Sequence, residues 1–312
     1  VRVLITGGAG FIGTNLCRVL HRHGDVEIVV LDDFSASTPD RLDGLGVTIV
    51  EGSVLDPAAL DRAMEGVSAV VHLAAVASVQ ESIRNPVHVH EVNVTGTLLV
   101  LEAARRAGDA HVVLASSSSV YGSDPTLPKH ERMVPHTESP YAVGKLAAES
   151  YALTWNRVYG LPTLAFRFFN VFGPLQHADS AYPAVVPAFL EAAIAGETLV
   201  VHGSGEQSRD FTYVESVCEV IADAVRRRVS SDLPVDLGFG VRTSLNELIA
   251  LIEQELGHPL AVQHGPVRVG DVMHSQAEGA RLAALFPDLE PVSLEAGLTA
   301  TVEWLTSRQG SG

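Results

Sequence analysis

Thr6-Gly7-Gly8-Ala9-Gly10-Phe11-Ile12-Gly13-Thr14 is the stretch that decides the fold. It follows directly on a β-branched run at residues 1–6 and opens an amphipathic segment at 11–23, so it reads as a turn from strand into helix. Both Gly7-x-x-Gly10-x-x-Gly13 and Gly8-x-Gly10-x-x-Gly13 are present. Glycines at such a turn let the backbone approach a pyrophosphate, and the helix N-terminus meets its charge. A bare glycine pattern also fits a tight turn with no ligand; the strand before it and the helix after it give this one its meaning.

Downstream, Asp32 closes the next β-branched run, at residues 27–31. A carboxylate there accepts hydrogen bonds from the adenosine ribose hydroxyls and repels a 2′-phosphate, which favours NAD over NADP. Asp33 follows, and no arginine stands beside the pair in sequence. Further runs at 47–50, 69–73, 112–115 and 163–168 alternate with helical patterns at 57–64, 86–106 and 140–159. Continuous apolar strands between helices predict an α/β fold, a Rossmann-type doubly wound parallel sheet covered on both faces. After about Gly173 the rhythm changes to more proline, glycine and polar loops, with helices expected at 184–195, 215–228, 244–256 and 294–305. The division expected is a dinucleotide-binding domain over 1–172 and a smaller α/β substrate lobe over 173–312, with some segments returning to the first domain. Residues 308–312 are expected to form a disordered tail.

With 312 residues, 46% apolar and 19% charged, the chain has the makings of a folded soluble protein with a substantial core. No apolar run approaches a membrane span, and residues 1–6 pass too quickly into glycines to be a signal peptide. Cys17 and Cys218 form no CxxC pair, which suits a reducing cytoplasm. A formal charge of −16 argues against nucleic acid or an anionic membrane as partner, though local arginines can still hold a small anion. Among thirteen histidines, His21/His23 and His88/His90 are spaced to point apart on a helix; no metal site is expected.

Tyr141-Ala-Val-Gly-Lys145 puts a phenol and an ammonium on one helix face, one turn apart. A nearby Lys⁺ lowers the pKa of a tyrosine, giving a group able to take a proton from a sugar hydroxyl and return it. The chain has 21 basic side chains but only two lysines, Lys129 and Lys145, so this spacing carries weight. An exposed Tyr/Lys pair with no function would look the same in isolation.

Taken in order, TGGAGFIG (6–13), LDDFS (31–35), VVHLAAVASVQES (70–82), NVTGT (93–97), ASSSSVYG (115–122), YAVGK (141–145), RFFNVFGP (167–174), GSGEQSRDFTYV (203–214) and RVGD (268–271) resemble the extended short-chain dehydrogenase/reductase family. The resemblance covers nearly the whole chain, lies in the nucleotide-sugar epimerase/dehydratase branch and is strongest to the UDP-hexose 4-epimerases. It implies that Gly7, Gly10, Phe11, Ile12 and Gly13 line the pyrophosphate of NAD and that Asp32 holds its adenosine ribose. Asp33, Phe34 and Ser35 follow beside it. Val54 is expected beside the adenine, with Ser53 where the family usually has an aspartate. Leu73, Ala74, Ala75 and Phe168 are expected along the cofactor, Asn93 behind that loop, and Lys145 on the nicotinamide ribose. Ser117, Tyr141 and Lys145 match the catalytic residues. Ser118, Ser119, Asn170, Val186, His202, Arg209, Arg268 and Asp271 are expected to bind substrate, the two arginines on the nucleotide diphosphate and Asp271 on the uridine ribose.

The implied reaction oxidises C4 of a UDP-sugar, turns the keto sugar over and reduces it from the other face, with NAD regenerated. Ser118 and Ser119 stand where 4,6-dehydratases carry an Asp-Glu pair, and decarboxylases keep a glutamate at the second position, so 4-epimerisation is favoured. Ser275 replaces a bulky tyrosine of galactose-specific relatives, leaving room for an N-acetyl group, while the run Ser116–Ser119 also occurs in UDP-glucuronate 4-epimerases. UDP-glucose/galactose and the N-acetylhexosamine pair rank first and the uronate pair behind. Net reduction of a keto sugar and a non-catalytic dinucleotide-binding protein are the other readings. Relatives commonly pair as homodimers through two helices each; 86–106 and 140–159 are the candidates. Val89, Val92, Leu99 and Ala103 give the first an apolar face that would serve a core equally well.

Overall fold

The computed structural model describes residues 1–176, 184–267 and 272–309. The first half runs β1 (Arg2–Thr6), α1 (Phe11–His23), β2 (Glu27–Asp32), β3 (Thr48–Glu51), α2 (Pro57–Ala63), β4 (Ala69–His72), α3 (Val79–Arg84), α4 (Pro86–His90), α5 (Gly96–Arg106), β5 (His111–Ser117), α6 (Pro140–Tyr159) and β6 (Thr163–Phe168). It continues with β7 (Asn170–Phe172), α7 (Val185–Ile194), β8 (Leu199–His202), β9 (Ser208–Tyr213), α8 (Val214–Arg227), β10 (Val235–Leu237), β11 (Arg242–Ser244), α9 (Leu245–Leu256), β12 (Val262–Gly265), α10 (Ala280–Leu285) and α11 (Leu294–Gln309).

Seven parallel strands form the main sheet in the order β10-β6-β5-β4-β1-β2-β3. Chain order reverses at β1, which opens a crevice beyond the carboxyl ends of β1 and β4. Alternate residues of one strand enter opposite layers: Val3 and Ile5 pack with α1 residues Leu16 and Leu20, while Leu4 packs with Leu60 of α2 and Leu101 of α5. Both faces are therefore covered, which explains the unbroken apolar runs; each such side chain contributes roughly 1.5–3 kcal/mol by leaving water. β9 lies between β7 and β11 in a second, three-stranded sheet, and β8 pairs with β12.

α6 is specified at both ends. Ser139 Oγ accepts from the Ala142 N–H at 3.1 Å, Pro140 stands in the first turn, and Gly160 closes the helix in the left-handed region at φ 72°. Its buried face carries Ala142, Lys145, Ala148, Glu149 and Ala152.

Several expectations need correcting. The pattern at 86–106 is helical throughout but not one α-helix: a π-turn at Glu91–Thr95 separates α4 from α5. Thr97 Oγ1 donates to the Asn93 carbonyl there at 2.7 Å, and the wider turn lets the Asn93 side chain reach the loop after β4. Val89 and Ala103, expected on a possible partner face, are buried in the fold. α11 continues through Gln309, where a disordered tail was expected from 308; residues 310–312 lie outside the described ones. β5 extends to Ser117, two residues past the expected end, because Ser116 and Ser117 still pair with Arg167 and Phe168 of β6. β10, only three residues long, comes from the second half of the chain and completes the main sheet beside β6. No described helix is long and apolar enough to cross a membrane.

Candidate active site

A cavity of about 960 Å³ opens at the carboxyl end of the main sheet. One end is the glycine turn. Gly7 has φ 70°, and a Cβ there would stand 2.8 Å from the Ala74 backbone; a Cβ on Gly13 would lie 2.3 Å from the Gly7 carbonyl oxygen. The loop is thus closed tightly on β4 and on itself, with Gly7, Gly10, Phe11, Ile12 and Gly13 on the cavity wall. α1 starts there, so its first-turn N–H groups lack intrahelical acceptors and suit a pyrophosphate.

Asp32 lines the same wall and is fixed from two sides: Oδ2 accepts from the Ala9 N–H at 2.9 Å and Oδ1 from the Phe34 N–H at 2.9 Å. Asp33 turns to Ser35, accepting its N–H at 3.0 Å and its hydroxyl at 2.6 Å. Ser35, Ser53 and Val54 join the wall, and Ser53 Oγ accepts from the Leu55 N–H at 3.2 Å. Arg41 lines this end as well, brought back by a single helical turn at Pro39–Leu42. The sequence reading placed no arginine near the acidic pair and missed it, because the approach is made by the turn rather than by adjacency.

Leu73, Ala74 and Ala75 form the middle of the wall. Behind them Asn93 grips one residue of the loop twice, Oδ1 accepting from the Val76 N–H at 2.8 Å and Nδ2 donating to the Val76 carbonyl at 3.1 Å. His72, to which the sequence reading gave no role, bridges Thr6 and Thr97. Nδ1 lies 2.7 Å from Thr6 Oγ1 and Nε2 3.0 Å from Thr97 Oγ1. Thr97 donates onward to Asn93 and Thr6 receives the Ala74 N–H at 3.3 Å, so the order of donors puts the ring proton on Nε2. Burial, and then the charge of Lys145, hold His72 down to a pKa of about 3; it stays neutral.

At the far end Ser117 ends β5, and Tyr141 and Lys145 project from α6. The Ser117 hydroxyl accepts from the Ser119 N–H at 3.1 Å and shares the cavity wall with the Tyr141 phenol, on which it acts to favour the ionised form. Lys145 Nζ donates to the Ala115 carbonyl at 2.8 Å and stands 5.9 Å from the Tyr141 ring centroid. The expected lowering of Tyr141 by Lys145 is not what this environment gives. Burial raises the phenol, the Ser117 hydroxyl pulls it back, and burial pushes Lys145 itself down to about 8. Ser116, Phe168, Phe169, Asn170 and Gln176 complete this end.

Other expected residues stand elsewhere. Phe34 packs on the core in a left-handed conformation at φ 53°, and Asn93 acts from behind the wall. Ser118 and Ser119 sit in the turn after β5, off the wall, and the buried Ser119 hydroxyl has no hydrogen-bond partner among the described residues. Val186 is core, packed with the other apolar residues of α7. His202 Nδ1 lies 3.2 Å from the Pro266 carbonyl, and Arg209 donates to the Ser208 carbonyl at 2.9 Å; neither is on the cavity wall. Ser275 donates its N–H to the Ser208 carbonyl at 3.0 Å, also off the wall. Arg268, Asp271 and residues 177–182 of the loop after Gln176 lie outside the described residues.

An anion cradle closed by glycines, a fixed carboxylate one strand away and a Ser–Tyr–Lys group at the opposite end fit a nicotinamide dinucleotide along the cavity. The family model described as NAD dependent epimerase/dehydratase family matches residues 3–236. The chain is 34% identical to a UDP-glucose 4-epimerase of Mycolicibacterium smegmatis over 99% of both chains. It is 30% identical to a UDP-N-acetyl-alpha-D-glucosaminuronate decarboxylase of Bacillus cytotoxicus over 97% of both. Among solved structures, a UDP-N-acetylglucosamine 4-epimerase of Methanobrevibacter ruminantium in complex with UDP-N-acetylmuramic acid superposes with a TM-score of 0.92 at 32% identity, covering 98% of each chain. The chain belongs to the NAD-dependent epimerase/dehydratase family, among whose relatives are UDP-sugar epimerases of the same fold, one solved in complex with NAD, and decarboxylases.

Proposed function

We propose that this chain is a UDP-sugar 4-epimerase, an isomerase that inverts C4 of UDP-glucose/UDP-galactose or of the N-acetylhexosamine pair. The observation that carries this reading is that Ser117, Tyr141 and Lys145 come together on one cavity wall, at the end opposite Asp32, with Lys145 held by the Ala115 carbonyl. Tyr141 takes the proton of the C4 hydroxyl, and Ser117 holds that oxygen against the phenol. NAD, held by the glycine turn at Gly7, Gly10 and Gly13 and by Asp32, would supply the hydride acceptor and donor for C4. Lys145, held by Ala115, carries positive charge at neutral pH; burial alone raises the phenol, and the positive nicotinamide ring of bound NAD would add to the lysine charge in drawing it toward the phenolate that the step needs. The resulting 4-keto sugar turns about its diphosphate link, and Tyr141 returns the proton on the other face.

The epimerase names of two of the relatives support this choice. So do Ser118 and Ser119, since neither hydroxyl can serve as the carboxylate acid or base that dehydration or decarboxylation uses. UDP-glucuronate is the second reading, favoured by the run Ser116–Ser119, which also occurs in UDP-glucuronate 4-epimerases. Asn170, Arg209, Arg268 and Asp271 are proposed to hold the nucleotide diphosphate and uridine, with residues 1–172 as the NAD-binding domain and the remainder, β10 and α8 excepted, as the substrate lobe. A cytoplasmic homodimer is proposed, paired through Ile83, Val87, Val143 and Val158 on α3, α4 and α6, which are exposed apolar residues. Proton NMR with UDP-glucose, UDP-N-acetylglucosamine and UDP-glucuronate, without added NAD, tests the reaction. The anomeric signal of one galacto-configured product is expected; no change with any sugar, even after NAD is added, would reject the reading.

A further inference from the structure

Tyr141, Lys145 and Glu149 occupy successive turns of α6 on one face, and each faces one of the last three residues of β5. Tyr141 shares the cavity wall with Ser117, and Lys145 meets the Ala115 carbonyl at 2.8 Å. The third contact falls between them: Ser116 Oγ donates to Glu149 Oε2 at 2.8 Å. Glu149 is 2% exposed and is held as well by Arg167 of β6, through Nε at 2.9 Å and Nη2 at 2.7 Å. Arg167 Nη1 donates to the Tyr121 hydroxyl at 2.8 Å, and that hydroxyl donates to Asp236 of β10 at 2.7 and 2.8 Å. The Asp236 N–H in turn donates to the Glu131 carboxylate at 3.0 Å.

We propose that Ser116 and Glu149 are positioning residues that set the register of α6 on β5, so that the Tyr141 phenol meets the Ser117 hydroxyl. The inference rests on reading Tyr141 and Ser117 as the reacting pair. Stability alone is a poor reason for these groups: a buried ion pair recovers little more than its desolvation cost, and apolar side chains of equal size would hold the layer as well. Apolar contact would not fix the register, however. Apart from Leu153, the rest of the buried face of α6 is small, Ala142, Gly144, Ala148 and Ala152, which allows close approach and does little to fix the helix against sliding or rolling. Hydrogen bonds are directional, and Ser116–Glu149–Arg167 ties α6 to two neighbouring strands at once. The carboxylate faces Ser116 from β5, Arg167 from β6 with Tyr121 and Asp236 beyond it, and shares its helix face with Lys145.

Ser116→Ala removes this contact and leaves Glu149 paired with Arg167; Ser116→Thr keeps the hydroxyl. The Tyr141 phenol can be followed in NAD-loaded protein by NMR of tyrosine labelled with carbon-13 at Cζ, its resonance assigned by its loss in Tyr141→Phe. With the pull of the Ser117 hydroxyl on the phenol weakened, the Tyr141 midpoint in Ser116→Ala is expected to rise by about one pH unit. kcat is expected to fall about tenfold, with KM and bound NAD unchanged, and Ser116→Thr to restore both readouts. Ser116→Cys, close in size and a weak donor, gives a value between and serves if the alanine protein does not fold. A wild-type Tyr141 midpoint and kcat in both the alanine and cysteine proteins, with only a lowered melting temperature, would overturn the positioning role. The midpoint needs no sugar, so it is independent of substrate identity; a Tyr141→Phe protein that still epimerises would instead overturn the reading of the reacting pair.

Discussion

Asp32 and Ala9 are joined by a hydrogen bond of 2.9 Å from the Ala9 N–H to Oδ2, which ties the acid at the end of β2 to the glycine turn after β1. The carboxylate is therefore held in place by the chain itself, where the proposed function puts the adenosine ribose, while Arg41 lines the same end of the cavity. Asp32→Ser removes the ribose acceptor and the charge that repels a 2′-phosphate. NAD affinity is expected to fall roughly 10–100-fold, the loss of one charge-assisted hydrogen-bond pair of about 1.5–3 kcal/mol. NADP affinity is expected to rise as Arg41 pairs with the phosphate. Calorimetric titration with both dinucleotides checks this; an unchanged preference for NAD would place the selectivity elsewhere.

Gly13→Ala puts a Cβ 2.3 Å from the Gly7 carbonyl oxygen, a backbone atom that cannot swing aside. The turn must open or α1 must shift. A loss of about 1–3 kcal/mol is expected, with less dinucleotide retained through purification than by the wild-type protein. Chemical denaturation and the absorbance of the extracted cofactor measure the two effects separately.

How much of this was legible in the sequence follows from how local each feature is. The glycine turn, Asp32, and the Tyr141 and Lys145 pair are set by spacing within one turn or one strand–helix junction, and the chain spells them out. Arg41 was missed because it returns through a turn, and His72 because a buried imidazole has no periodic signature of its own. The Ser116–Glu149–Arg167 chain joins three elements, so no window along the chain contains it. β10 is too short to show strand periodicity and is recruited only by the edge of β6. Val89 and Ala103 had an apolar spacing equally suited to core and interface, and burial decided for the core.

His72 makes the fold sensitive to acid. Its pKa is about 3 in the folded chain against an ordinary 6.5, so the unfolded chain binds more protons between those values. Stability is thus lost as pH falls through that window, by about 1.4 kcal/mol per pH unit from this residue. His72→Asn, which can still bridge Thr6 and Thr97, removes the slope. The stability gap between wild type and variant should narrow by roughly 2–3 kcal/mol between pH 6.5 and 4.5 in urea titrations. A constant gap would mean that another group sets the acid response.

Val87 and Val143 are 68% and 53% exposed on α4 and α6, so a charge there leaves the monomer fold intact. Val143→Glu is expected to halve the mass seen by light scattering after gel filtration, since a carboxylate buried against apolar neighbours goes unpaired. A wild-type protein already at the monomer mass would remove the proposed pairing.

C4 chemistry is tested most directly by deuterium at C4 of whichever UDP-sugar is turned over in the NMR panel. Oxidation and return within one site keep the label: the galacto-configured product should carry deuterium at C4, with none in water and no NADH released. Deuterium lost to solvent, label found in free NADH, or solvent hydrogen appearing at C5 would contradict a 4-epimerase that holds its cofactor and keto sugar together through the reaction.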